Sequence, residues 1–268
     1  MTSSEPRVTP RVRATGLYAA APWLFAALLL VGWALTVVLA APPPYMLPAP
    51  TTVLDRLVTA FGSPRFWSGA GETFTEAVGG SLLGAAVALP LAIGIHRSRL
   101  LNAAITPFLG ATQAIPAIAI APLLAIWVGY GLGPIVLLCA LMVFFPILIS
   151  SVVGLRHVDP LVVDAARMDG AGSVALLRHI ELPLALPNIL AGLRNGFALS
   201  VTGAVVGEMV MGGSGLGQLL TSQRDSVDTA GMFATILVLC AMASGLYGLI
   251  HLIERRSRTV ASLLRSDS

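Results

Sequence analysis

The chain has 268 residues, of which 56% are hydrophobic and only 11% charged, with a mean hydropathy of +0.86. Soluble domains carry about 25% charged residues, so this composition excludes an ordinary water-soluble fold and indicates a membrane protein. All sixteen basic residues are arginine. A phosphate-binding P-loop requires a lysine, so the chain cannot hydrolyse ATP through one.

Six apolar spans are expected, at about 17–41, 74–95, 101–128, 134–155, 188–211 and 232–253. Each can cross about 30 Å of hydrocarbon as a helix. In lipid the backbone must satisfy its own hydrogen bonds, which makes helices the expected form and the fold class all-α. The first span is too long for a signal-peptide core and reads as an anchor helix. A stiff proline-rich stretch, 42–50, follows it, and 55–66 reads as a short amphipathic surface helix. The third span contains Pro107, Pro116 and Pro122, so it should be kinked or broken. Cys139 and Cys240 lie deep in apolar runs without metal-ligand or disulfide spacing. His96, His157, His179 and His251 sit at span ends without metal spacing. No metal site is expected.

Arginine placement sets the orientation. With the N-terminus in the cytoplasm, thirteen arginines fall inside, and only Arg56, Arg65 and Arg224 fall outside. That asymmetry follows the positive-inside rule and favours six crossings with both termini cytoplasmic. It also accounts for a calculated pI near 9.3 without invoking nucleic acid. The expected layout is an N-terminal tail at 1–16, a membrane domain at 17–253 and a C-terminal tail at 254–268.

The polar segment 156–187 stands apart. Asp159 and Pro160 read as N-cap and first residue of a helix that runs through Asp164, Ala165 and Ala166 to about Met168. Gly170 and Gly172 can take positive φ and end it. Ser173 should cap a second short helix, ended by Leu182-Pro183. The two alanines let a partner approach the backbone closely, and Asp164, Arg167 and Asp169 can make charged contacts around them.

The spacing of this segment is specific: an acidic residue and two alanines, three residues, Gly170, nine residues, then Ile180-x-Leu182-Pro183. It resembles the EAA loop of ABC-importer permeases, with Asp164 in place of the usual glutamate. Family-like segments extend over 73–253, including Gln113-Ala114-Ile115-Pro116, Phe144-Phe145-Pro146 and Ser214-Gly215-Leu216-Gly217. The resemblance is to the nitrate, sulfonate and taurine group, leaning toward its thiamine-pyrimidine and riboflavin branch. It implies a type I importer fold in the bacterial inner membrane. The implied partners are a second permease copy, a cytoplasmic ABC ATPase dimer that binds the ATP, and an extracytoplasmic solute-binding protein. The chain itself would carry no cofactor and no catalytic residue. The implied mechanism is alternating access, with Asp164, Ala165, Ala166, Arg167, Asp169, Gly170, Ile180, Leu182 and Pro183 as the ATPase-coupling loop. The rival reading is a secondary transporter driven by an ion gradient.

Small residues at Gly192, Gly196, Ser200, Gly203 and Gly207 share one face of the fifth span, and Gly80 and Gly84 one face of the second. Such faces let membrane helices pack closely, within one subunit or between two. Glu76 and Glu208 fall in or at the ends of spans. A charge there needs a partner or water, which makes them, with Gln113, candidates for the translocation pathway.

Overall fold

The structure, a computed structural model, describes residues 16–112 and 116–256. Within these residues every regular element is helical: α1 (Gly16–Ala40), α2 (Pro50–Phe61), α3 (Pro64–Arg97), α4 (Arg99–Thr112), α5 (Ala117–Val128), α6 (Leu132–Arg156), α7 (Pro160–Met168), α8 (Ser173–Leu176), α9 (Leu182–Met211), α10 (Leu216–Asp225) and α11 (Thr229–Arg256). Five apolar helical stretches are long enough to span a bilayer by themselves. The expected third span is instead the separate helices α4 and α5, with Pro116 as the extended N-cap of α5. Pro116 lies at the break, where its ring removes a donor and crowds the preceding turn, whereas Pro107 and Pro122 are accommodated inside α4 and α5. Gln113 lies outside the described residues.

The core forms around α6, where Leu138, Cys139, Val143 and Ile147 are fully buried between α3 and α9. Glycines on the flanking helices make that approach possible. A Cβ on Gly84 of α3 would lie 2.8 Å from the Ala140 carbonyl oxygen, and one on Gly192 of α9 would lie 2.7 Å from Ser150 Cβ. Gly196 and Gly203 meet Val143 and Cys139 in the same way. The small-residue stripes therefore serve packing within this chain. Arg194, twelve residues into α9, is tied to Glu254 of α11 at 2.7 Å, so its charge is paired.

The amphipathic surface helix begins five residues earlier than expected, at Pro50. Its Val53 is buried against Ala230 and Ala234 of α11. The residues expected to close it, 64–66, belong instead to the first turn of α3, because Pro64 suits a helix start. The apolar face of α1 is open to lipid, and Trp33 anchors it through a 3.1 Å hydrogen bond to the Pro48 carbonyl.

Candidate functional site

The polar segment folds as expected at its tip and differently at its root. Asp159 Oδ1 accepts a hydrogen bond from the Leu161 amide at 2.8 Å and caps α7. At the other end of α7, the Gly170 amide donates to the Arg167 carbonyl and the Ala171 amide to the Ala166 carbonyl, both at 3.0 Å. Gly170 has φ +87°. This is a Schellman termination, and it gives the motif's spacing a physical reason. Ala166 supplies the carbonyl that the turn closes on, and the residue four positions later must tolerate left-handed backbone. Gly172 does not share that role: its φ is −71° and it serves as the N-cap of α8 in place of Ser173.

Leu182-Pro183 does not end the second helix. Leu182 keeps helical angles, and the chain runs from α8 through a π-turn at Leu177–Glu181 directly into α9. The proline is accommodated in the first turn of α9, where a missing amide is least costly. The wider π-turn provides the slack.

The site residues consequently divide into two groups. Asp164, Ala165, Arg167, Asp169 and Gly170 are exposed, and Ala166 is half-buried. Around them stand Leu161, Met168 and Val174, apolar side chains that are 75%, 85% and 78% exposed. Exposed apolar side chains on a polar loop are a feature that contact surfaces share. Asp164 and Arg167 pair with each other at 2.9 Å across one turn. Ile180, Leu182 and Pro183 are half-buried at the root, where Leu182 packs with Leu155, Val158, Ala185 and Ile189.

Sequence reasoning missed a neighbour at that root. Glu181, only 4% exposed, faces the C-terminal end of α3. Its Oε2 lies 3.1 Å from Arg97 Nη2 and its Oε1 3.4 Å from His96 Nε2. Arg97 also donates to the Ser173 carbonyl at 2.5 Å. The sequence shows these charges but not that they meet.

At the opposite end of the bundle Glu208 is fully buried. Thr73 Oγ1 donates to its Oε1 at 2.6 Å, and the Gly217 amide donates to its Oε2. The Leu216 amide in turn donates to Thr73 Oγ1 at 2.8 Å. Glu208 and Thr73 therefore satisfy the first amides of α10, a short polar helix. A Cβ on Gly215 would land on the Glu208 carboxylate, and one on Gly217 would lie 2.6 Å from the Val205 carbonyl oxygen. Glu76, 1% exposed, lies beside the Glu208 carboxylate, and its oxygens have no other hydrogen-bond partner among the described residues. Above this knot opens a cavity of about 550 Å³, with Arg56, Arg65, Ser214, Gln218 and Asp228 in its walls. Among the described residues no cluster of His, Cys, Asp and Glu suits a metal ion.

Comparison with known proteins identifies the family. Residues 80–259 match the family described as "Binding-protein-dependent transport system inner membrane component". The riboflavin transport system permease protein RibX of Chloroflexus aurantiacus is 40% identical over 93% of this chain and 94% of its own length. The formylaminopyrimidine transport permease protein ThiX of Halalkalibacterium halodurans is 31% identical over 81% of this chain and 86% of its own. The fold is similar to that of the inward-facing MetNI methionine ABC transporter, with a TM-score of 0.62 and 20% identity over 70% of this chain and 94% of that one. These matches set the secondary-transporter reading aside. The chain belongs to the binding-protein-dependent inner membrane component family: it is a multi-pass permease subunit of an ATP-driven ABC importer of the bacterial inner membrane, working with binding-protein and ATPase partners.

Proposed function

We propose that this permease imports a small nitrogen heterocycle of the riboflavin or thiamine-precursor pyrimidine class. Two copies of the chain would work with two ATPase subunits, with both termini and the α7–α8 loop on the cytoplasmic side. The relatives at 40% and 31% identity, named as riboflavin and formylaminopyrimidine permeases, support the substrate class. The arginine distribution supports the orientation. The membrane domain extends over 17–253, between short cytoplasmic tails.

One observation carries the coupling assignment. The α7 tip joins exposed Leu161, Met168 and Val174 to two alanines and a Schellman turn at Gly170, while its root is packed into the bundle. Such a surface offers an ATPase both apolar area and close backbone access, and movement of the tip is passed to α9 through the continuous helix. Asp164, Ala165, Ala166, Arg167, Asp169 and Gly170 make the contact; Ile180, Leu182 and Pro183 transmit it. Of the pathway candidates, Glu76 is the carboxylate we assign to the solute path, because Glu208 is already held by the Gly217 amide and Thr73. Gln113, outside the described residues, stays a pathway candidate from the sequence alone.

The test is ATP hydrolysis by the complex assembled in lipid vesicles with its binding protein. Riboflavin, hydroxymethylpyrimidine, taurine and nitrate are added in turn. Stimulation by either heterocycle is expected; stimulation by taurine or nitrate alone would overturn the substrate class.

A further inference from the structure

The geometry points to Arg97 as the joint that couples the α7–α8 loop to α3, and to α3 as a strut that carries loop movement to the α9–α10 turn beside the far cavity. This inference rests on the coupling assignment above and names the residues through which it acts.

Arg97 is the last residue of α3 and reaches both ends of the loop's second helical segment. It donates to the Ser173 carbonyl where α8 begins and lies 3.1 Å from Glu181 where the π-turn ends. One guanidinium thus closes that segment into a block and fixes it to α3. The guanidinium is not aligned to donate a hydrogen bond to Glu181 Oε2, so charge rather than direction holds this contact. His96, one residue earlier, faces the other oxygen of the same carboxylate. Backbone packing between α3 and α8 is slight, so side chains carry the link. The π-turn matters because its extra residue sets where the Glu181 side chain emerges.

The other end of α3 is gripped as firmly. Thr73 binds the Leu216 amide and Glu208, and Glu72 Oε1 accepts from the Ser214 amide at 3.4 Å. A Cβ on Gly69 would lie 2.9 Å from the Ser214 carbonyl oxygen, so the two backbones touch. Between Thr73 and Arg97 the helix is continuous through Pro90 and spans about 36 Å at 1.5 Å per residue. A helix held by polar contacts at both ends moves as a rigid element, the kind of part that relays domain motion. Displacing the loop therefore displaces α3 and shifts Ser214–Leu216, which line the cavity.

The experiment uses the full complex with its ATPase and binding protein in lipid vesicles, and measures solute taken up per ATP hydrolysed. Arg97→Ala and Glu181→Gln each lower that ratio by about 5- to 20-fold, the lower part of the usual range of coupling between sites. Arg97→Lys, which keeps the charge, restores most of it. The double variant Arg97→Ala/Glu181→Gln loses no more than either single variant, because both remove one joint. Glu181→Gln preserves shape and serves should Arg97→Ala fail to assemble. A ratio within twofold of the parent for Glu181→Gln, or losses that multiply in the double variant, would overturn the joint. Gly170→Glu is the control for the underlying reading. If it abolishes uptake while Glu181→Gln does not, only the strut fails; if it leaves uptake normal, the coupling assignment itself fails.

Discussion

The two ends of the bundle solve opposite problems with similar residues. The loop end carries Asp164 and Arg167, which pair with each other in solvent and leave apolar Leu161, Met168 and Val174 uncovered. The far end carries Thr73 and Glu208, which are fully buried, bond to each other and each accept one amide of α10. The first is the surface proposed to be completed by another chain; the second is completed within this one. A substitution at the far end should therefore lower stability, whereas one at the loop tip should lower assembly and transport.

The largest expected effect is at the far end. Glu208→Ala strips the acceptor from the Gly217 amide and from Thr73, and should destabilise the subunit by about 3 kcal/mol, as for other buried hydrogen-bonded charges. Thermal unfolding in detergent measures it, and an unchanged midpoint would break the comparison at once. Thr73→Val keeps the shape but orphans the Leu216 amide, for a loss of about 1–2 kcal/mol by the same assay.

Within the loop the comparison sharpens to two glycines. Gly170→Ala places a side chain at φ +87° and should cost about 1 kcal/mol, whereas Gly172→Ala, at φ −71°, carries no such conformational cost. Equal unfolding midpoints for the two variants would remove the Schellman explanation. The smallest change in stability belongs to Asp164→Asn: its exposed ion pair contributes about 0.5 kcal/mol or less. Co-purification of the ATPase should nevertheless drop severalfold in that variant. Loss of stability with normal co-purification would place Asp164 among the internal contacts instead.

Much of the fold was legible because lipid simplifies the rules. Five of the expected spans appear as single helices, and the proline-rich one as two. The loop tip was legible for a local reason: a cap at Asp159 and a turn at Gly170 each depend on residues within a few positions. The root was not. Leu182-Pro183 was expected to stop a helix, but Leu182 packs against the cluster of Leu155, Ala185 and Ile189, the chain stays helical, and Pro183 falls in the first turn of α9 behind the π-turn. The helix α10 was also missed, since LGQLLTSQRD has no strong apolar period, and its first amides are satisfied from α3 and α9.

By itself the sequence determined the membrane class, the helical spans and the motif that joins this permease to its family. Those properties depend on composition and short-range spacing, because each helix satisfies its own backbone in lipid. Tertiary structure alone decided which charges meet. Thr73 and Glu208 are 135 residues apart, and Arg97 and Ser173 are 76 apart. No local pattern encodes such pairs; they form because glycine faces draw α3, α6 and α9 together and leave each buried polar group only the partners that packing brings within reach.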